Sequence, residues 1–249
     1  MTVGSLFAGI GGFDLGFQRA GFNITWQVEI DLFCQKVLAK HFPEAKRYGD
    51  IRTVGATTLD PVDVICGGFP CQDISVANQE ASGLDGKRSG LFFEIPRIIN
   101  SLRPKYVVLE NVDALLRRGI DRVLGALAEI GYDAEWTIIP ASCFGLPQPR
   151  KRVWIVAYPS GFRISGLFES IDSSTPRQGG PGSTANLFDI ARSPFSGTSG
   201  FPQPLLRGVD DRPANWVDRI KSSGNAVVPQ IPEWIANQIL KYESINRTD

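Results

Sequence analysis

The sequence carries a cysteine on a turn, a carboxylate at the end of an apolar run and two arginines flanking one lysine, and these are the side chains whose types and spacing could do chemistry. Cys71 closes the stretch Val62-Asp63-Val64-Ile65-Cys66-Gly67-Gly68-Phe69-Pro70-Cys71-Gln72, in which an apolar run stops at a Gly-Gly-Phe-Pro turn. A free thiol titrates near about 8.5, so a few per cent is thiolate at neutral pH, and that thiolate is the strongest nucleophile among the side chains. Most free cysteines are small buried hydrophobes. Cys66, inside the run, fits that description; Cys71, after two glycines and a proline, does not. Glu110 ends the run Tyr106-Val107-Val108-Leu109 and is followed by Asn111-Val112. At the end of a neighbouring strand in a partly dry cleft, such a carboxyl would hold its proton to higher pH, which suits a group that must give one up. Arg150 and Arg152 precede Val153-Trp154-Ile155-Val156-Ala157, and strand alternation puts both on one face. Two guanidinium groups aimed at one place suit an anionic or carbonyl-bearing ligand.

Positioning these groups requires strands that end together. Short β-branched runs stopped by Gly and Pro predict buried strands of a parallel sheet, whose ligands gather beyond the strand ends. Thr2 to Phe7 predicts the first, running into Ala8-Gly9-Ile10-Gly11-Gly12 and then helical spacing at Phe13, Leu15, Gly16, Phe17 and Ala20. Strand, glycine turn and helix make a nucleotide-type site, because backbone approaches a ligand closely and the helix start offers free N–H groups. Taken alone the turn equally fits plain helix-on-strand packing, or a nicotinamide dehydrogenase. A second strand, Ile24 to Val28, ends in Glu29-Ile30-Asp31, about 20 residues past the turn, where a carboxylate can accept from both ribose hydroxyls. Leu32 to His41 reads as a helix stopped by Pro43. Gly49-Asp50-Ile51 offers either a solvated turn aspartate or an acid for an adenine amino group with Ile51 as an apolar wall. Ser75 to Gly90 is a polar loop with Lys87 and Arg88 near its end, either plain surface or able to close over a substrate. Leu91 to Leu102 predicts a helix kinked or restarted at Pro96, and Leu115 to Ile130 a helix whose Arg117, Arg118 and Arg122 form a solvated basic face. Ala134 to Ile139 predicts a strand, and Ile231 to Tyr242 an amphipathic helix docking on the first part of the chain.

Composition narrows the classes. The chain has 249 residues, enough for one large domain with a sizeable core, and its 26 basic and 26 acidic side chains cancel, so a polyanion partner must be held by local patches. Four cysteines without a Cys-x-x-Cys pair point to a reducing compartment. With no charged-then-apolar leader and no apolar run near ~20 residues, a cytoplasmic protein without a membrane partner is expected. His41 is the only histidine, which argues against a His-based zinc site or Ser-His-Asp chemistry. From residue 159 to about 213 the texture turns to Gly, Ser, Pro and Thr with scattered arginines, a small irregular domain or insertion.

Together these pieces resemble the DNA cytosine-5 methyltransferases. The resemblance rests on Ser5-Leu6-Phe7-Ala8-Gly9-Ile10-Gly11-Gly12, Glu29, Asp50-Ile51, Gly68-Phe69-Pro70-Cys71-Gln72 followed by Ser75, Glu110-Asn111-Val112, Gln148 with Arg150 and Arg152, and Gly224-Asn225 with Val227, in the family's order. It implies an α/β, Rossmann-like S-adenosylmethionine-dependent fold over residues 1–158, a small target-recognition region over 159–221, and a segment over 222–249 that returns to the catalytic domain. The implied cofactor contacts are Phe7, Ala8, Gly9, Gly11, Gly12, Glu29, Ile30, Asp50, Ile51, Gly68, Pro70, Asn225 and Val227. The implied catalytic set is Cys71 adding to cytosine carbon 6, Glu110 at ring nitrogen 3, and Arg152 with Arg150 at the carbonyl oxygen; carbon 5 then takes the sulfonium methyl, and an unidentified base removes its proton. Gln72, Ser75, Lys87, Arg88 and Gln148 are implied at the DNA, with the target base flipped out of a duplex. A monomer acting on double-stranded DNA, bacterial or phage-encoded, with or without a cognate restriction endonuclease in the same system, is the expected setting. A tRNA cytosine-5 methyltransferase or a non-catalytic DNA-binding relative are the alternatives. The sequence departs from the family where an Arg-Leu-Gln-Gly-Phe-like stretch has no clear copy, at Asn78, where the family loop often has Gly, and at Pro96.

Overall fold

The computed structural model describes residues 1–70, 90–144, 150–162, 167–168 and 226–245. Strands β1 (Thr2–Leu6), β2 (Asn23–Val28), β3 (Lys46–Tyr48), β4 (Val64–Gly68), β5 (Tyr106–Val112), β6 (Tyr132–Pro140) and β7 (Lys151–Pro159) form one sheet in the order β3-β2-β1-β4-β5-β7-β6. β1 to β5 are parallel, and β7 lies antiparallel between β5 and β6. The expectation of parallel strands thus holds for the first five only. Strand order reverses between β1 and β4, which opens the crevice where open α/β sheets bind ligands. β4 and β5 are buried almost throughout because helices cover both faces, and that is why they read as unbroken apolar runs.

Helices α1 (Gly12–Arg19) and α6 (Gln230–Ile245) pack on one face around Phe13, Phe17, Ile235 and Ile239. Helices α3 (Gly90–Leu102) and α5 (Ile120–Glu129) cover the other through Ile95, Ile98, Val123 and Leu127. Full burial of each such side chain contributes roughly 1.5–3 kcal/mol. Helix α2 (Leu32–His41) starts where Asp31 accepts from the amides of Phe33 and Cys34 at 2.8 and 3.0 Å, and ends at the exposed His41. The late helix α6 is tied to β5 by Glu243, which accepts from the Tyr106 hydroxyl and the Lys105 ammonium, both at 2.6 Å.

Two further sequence expectations are corrected. Helix α3 continues through Pro96, whose buried ring joins the core and leaves only the Phe92 carbonyl without its helical N–H donor. The helix expected over Leu115 to Ile130 is two, α4 (Leu115–Arg118) and α5, because Gly119 leaves the helical region. Strand β3, Lys46-Arg47-Tyr48, was not anticipated: it lacks an apolar pattern and exists through its pairing with β2. The region expected to recognise the target falls almost wholly outside the described residues.

A polar cluster lies inside the core. Ser5, Gln27 and Cys66 sit side by side on β1, β2 and β4, and the fully buried Asp14 of α1 accepts from Gln27 Nε2 at 2.8 Å and from Ser5 Oγ at 3.2 Å. Burial raises the Asp14 carboxyl to about 6 against the pull of those bonds, and burial beside Asp14 raises the Cys66 thiol. A carboxyl raised on folding contributes stability that is fully present below its unfolded value and lost as pH rises through the folded one, here about 6. The near-isosteric Asp14→Asn variant, which cannot ionise, should therefore be more stable than the parent at pH 8 by up to roughly 2–3 kcal/mol. Denaturant unfolding should show that advantage shrinking steadily toward pH 4, and a constant difference would mean that Asp14 does not titrate in this window.

Candidate active site

A cleft of about 780 Å³ lies beyond the carboxyl ends of the parallel strands, within the range typical of small-molecule sites. Its first half is built by the ends of β1, β2 and β3. Just past β1 the chain curls through Phe7, Gly9 and Gly11 at φ 51°, 56° and 88°, a conformation that a non-glycine residue such as Phe7 adopts only when its surroundings impose it. Glycine is needed at 11 and 12 for space as well: an added Cβ would meet the Phe42 ring at 2.6 Å and the Val227 carbonyl at 2.4 Å. Glu29, at the end of β2, accepts from the Gly9 amide through Oε2 at 2.7 Å and from the Asp31 amide through Oε1 at 2.8 Å. Each oxygen keeps a second lone pair, so the oriented carboxylate can still accept from a vicinal diol. Asp50 and the buried Ile51 form the next part of the wall, in a 3₁₀ turn (Ile51–Thr53) where the Arg52 guanidinium holds the Asp50 carboxyl below its ordinary range. Ile30 stands largely exposed at the cleft rim.

The second half is built by β4, β5 and β7. Gly68 and Glu110 are direct partners across β4 and β5, and a Cβ on Gly68 would sit 3.0 Å from Glu110 Oε2, so the glycine gives that carboxyl its room. Because β7 is antiparallel, its first residues lie beside the last residues of β5, and Arg152 Nε reaches Glu110 Oε1 at 2.9 Å. Glu110 is 9% exposed; burial raises its carboxyl to about 7, while Arg152 and then Arg150 pull it back. Arg150 is itself shifted down, first by burial and then by Arg152. A neutral acid poised near physiological pH beside two cations can donate a proton to a buried, electron-rich ring and hold a carbonyl next to it.

Phe7, Ala8, Gly9, Gly12, Glu29, Ile30, Asp50, Ile51, Gly68, Pro70, Glu110, Arg150, Arg152 and Val227 all line this one cleft. Gly11 caps α1 behind it. Cys71, Gln72, Ser75, Lys87, Arg88, Gln148 and Asn225 lie outside the described residues. Pro70, next to Cys71 in sequence, lines the cleft with Glu110. Sequence reasoning assigned no role to Asn111, yet its Nδ2 donates to the Phe69 carbonyl at 3.1 Å and its Oδ1 accepts from the Val112 amide at 2.8 Å. It thereby fastens the turn before Cys71 to the strand that carries Glu110. Its place inside Glu-Asn-Val was the available signal.

A family model described as C-5 cytosine-specific DNA methylase matches residues 1–200. The chain is 38% identical over 165 residues to the Type II methyltransferase M2.BsuMI of Bacillus subtilis (strain 168), covering 63% of this chain and 42% of that protein. It is 32% identical over 166 residues to the Type II methyltransferase M.HhaI of Haemophilus parahaemolyticus, covering 65% and 50%. The chain thus spans about half the length of these relatives. Among solved structures, the Dnmt2 methyltransferase of S. pombe superposes with a TM-score of 0.58 at 21% identity, covering 70% of this chain and 57% of that one, a likeness of fold.

The electrostatics of the second half can be measured directly. Arg152→Met removes the nearest cation, so the Glu110 carboxyl should titrate above the parent's value of about 7, followed by the pH dependence of its side-chain carbon signal in NMR. An unchanged or lower midpoint would show that Arg152 does not hold Glu110 down.

Proposed function

The chain belongs to the C-5 cytosine-specific DNA methylase family, and from that premise we propose that it transfers a methyl group from S-adenosylmethionine to carbon 5 of a cytosine flipped out of duplex DNA. The observation that carries the reading is Glu110, buried, held near neutrality and paired with Arg152, in the same cleft as the Pro70 turn that leads to Cys71.

The first half of the cleft fits the cofactor. Glu29 would take the ribose diol, Asp50 the adenine amino group, and Ile30 and Ile51 the faces of the ring, while Gly9 and Gly12 let backbone come close. Asn225 and Val227 would close this half, Val227 against Gly12. When bound, the cofactor would supply an electrophilic methyl group to cytosine carbon 5, the sulfur–methyl bond breaking to leave the neutral thioether S-adenosylhomocysteine.

The chain's own residues make carbon 5 reactive. The Cys71 thiolate adds to carbon 6; a sulfur–carbon bond forms and the ring electrons move toward nitrogen 3, which takes the proton of Glu110. Arg152, supported by Arg150, holds the carbonyl oxygen through the charge shift. Once carbon 5 carries the methyl group, Glu110 recovers its proton from nitrogen 3. A base removes the remaining hydrogen of carbon 5, and those electrons restore the ring double bond as the bond to Cys71 breaks. Gln72, Ser75, Lys87, Arg88 and Gln148 would contact the DNA around the extruded base. Extrusion costs a few kcal/mol, which those contacts must offset.

Cys71→Ser should abolish methyl transfer from labelled S-adenosylmethionine to duplex DNA, and the parent should form a covalent complex with DNA containing 5-fluorocytosine. Full turnover by the serine variant would remove the nucleophile, and transfer to tRNA in place of duplex DNA would remove the substrate. Glu110→Gln can hydrogen-bond nitrogen 3 without protonating it and should lower kcat by about 10²–10⁴-fold. In the parent, the protonated form of Glu110 is lost as pH rises through about 7, so kcat should fall on that side, and the glutamine variant should lack that limb.

A further inference from the structure

Helix α3 reaches the cleft through Leu91, and its Arg97 extends toward the 3₁₀ turn Ile51–Thr53. Arg97 Nη2 donates to the carbonyls of Ile51 at 3.1 Å and Val54 at 2.7 Å, and its Nε donates to Glu94 one turn earlier at 2.5 Å. A Cβ on Gly55 would stand 3.1 Å from Arg97 Nη1, so the chain leaving the turn passes close against the guanidinium. The side-chain bonds of Arg97 tie the carbonyls of this turn to helix α3. The turn is three residues long and its internal bond from the Val54 amide to the Ile51 carbonyl is 3.5 Å; its other local braces are Thr53 donating to the Asp50 carbonyl through its amide at 3.0 Å and its hydroxyl at 2.8 Å, Asp50 accepting from Arg52, and the buried Ile51 and Val54 side chains. Asp50, Ile51 and Arg52 all line the cleft. Bonds from a guanidinium to carbonyls are charge-assisted, and the planar fork fixes direction as well as distance.

We propose that Arg97 is a positioning residue for the adenosine half of the cofactor site: by gripping the Ile51 and Val54 carbonyls from α3, it sets where the Asp50–Ile51 wall stands. The proposal rests on the reading of this cleft as the S-adenosylmethionine site. It differs from a general packing role in what it affects. Glu110 and Arg152 lie on β5 and β7, so a displaced Asp50–Ile51 wall weakens the hold on the nucleoside and leaves the chemical step intact.

The test uses the full chain, calorimetry with S-adenosylhomocysteine and with adenosine, and steady-state methylation of duplex DNA. Arg97→Met should weaken both ligands by about tenfold and raise KM for S-adenosylmethionine equally, with kcat and KM for DNA changed less than about twofold. Arg97→Lys, a point charge without the fork, should recover little of that loss. Glu94→Gln, which keeps the guanidinium, should stay within about twofold of the parent. Parental affinities in a folded Arg97→Met protein would overturn the proposal, as would kcat falling in proportion to affinity. If Arg97→Met does not fold, Arg97→Lys decides: weakened adenosine binding with parental kcat supports the role, and parental binding overturns it. A parent that binds neither ligand overturns the cofactor reading and this proposal together, a result distinct from a parent that binds and variants that do not weaken.

Discussion

The ion pair between Glu110 and Arg152 depends on the direction of β7 in the sheet. Were β7 parallel to β5, its end at Pro159 would stand at the cleft and its first residues at the far edge. Running antiparallel, it delivers Arg152 beside Val112 and within 2.9 Å of Glu110. Lone charges in such a place would be costly, and a buried pair is tolerated only when geometry and further partners are good. Here the carboxyl has Arg152 and Arg150 as nearby cations, and Gly68 leaves it space. Strand direction, glycine placement and carboxyl chemistry are therefore one arrangement.

The other half of the cleft depends on close approach of backbone. Val227 and Pro229 come back from the distant C-terminal segment to lie against Gly12 and Gly16, where any side chain would meet their carbonyls at 2.4–2.5 Å. The return is possible because α6 is anchored at its far end by Glu243 on Tyr106 and Lys105. The first turn of α1 is thus fixed from three sides: by Val227, by Asp14 on Ser5 and Gln27, and by Gly11 against Phe42. A glycine turn that alone would be ambiguous becomes a shaped wall because distant parts of the chain press on it.

Much of this was legible in the sequence, for identifiable reasons. β4 and β5 are buried on both faces, so they show as apolar runs, and α2 carries its stop near Pro43; its cap at Asp31 emerged only in the structure. Glu29, Glu110, Arg150 and Arg152 were legible as cleft residues because each follows or precedes such a run, whereas Asp50 stood out only as an acid on a glycine turn. Other features depend on contacts remote in sequence. β3 has no pattern of its own, and the direction of β7 is written in no local signal. Pro96 and Gly119 mislead in opposite senses: a proline whose lost bond a buried helix absorbs, and a glycine that ends a helix in the middle of good helical spacing. Asn111, Asp14 and Arg97 act through partners 42, 13 and 43–46 residues away, which no periodicity reveals.

The buried carboxyls also explain why this cleft needs cations as well as dryness. Burial alone drives a carboxyl toward permanent protonation, and a group fixed in that form would hold its proton too tightly to give it to a ring nitrogen in the proposed cycle. A freely solvated glutamate fails in the opposite way, being almost wholly ionised at neutral pH. Proton exchange in both directions is fastest when the group titrates near the working pH. At Glu110, desolvation pushes up while Arg152 and Arg150 pull down, and the balance falls at about 7. Asp14, equally removed from water but braced only by neutral donors, is likewise raised, to about 6, yet it lies beneath the glycine turn and does not line the cleft. What separates a structural carboxyl from a reactive one in this fold is therefore not the shift itself. It is access to the cleft, together with cations whose charge, in the proposed reaction, would also steady a ring carbonyl while the proton is away.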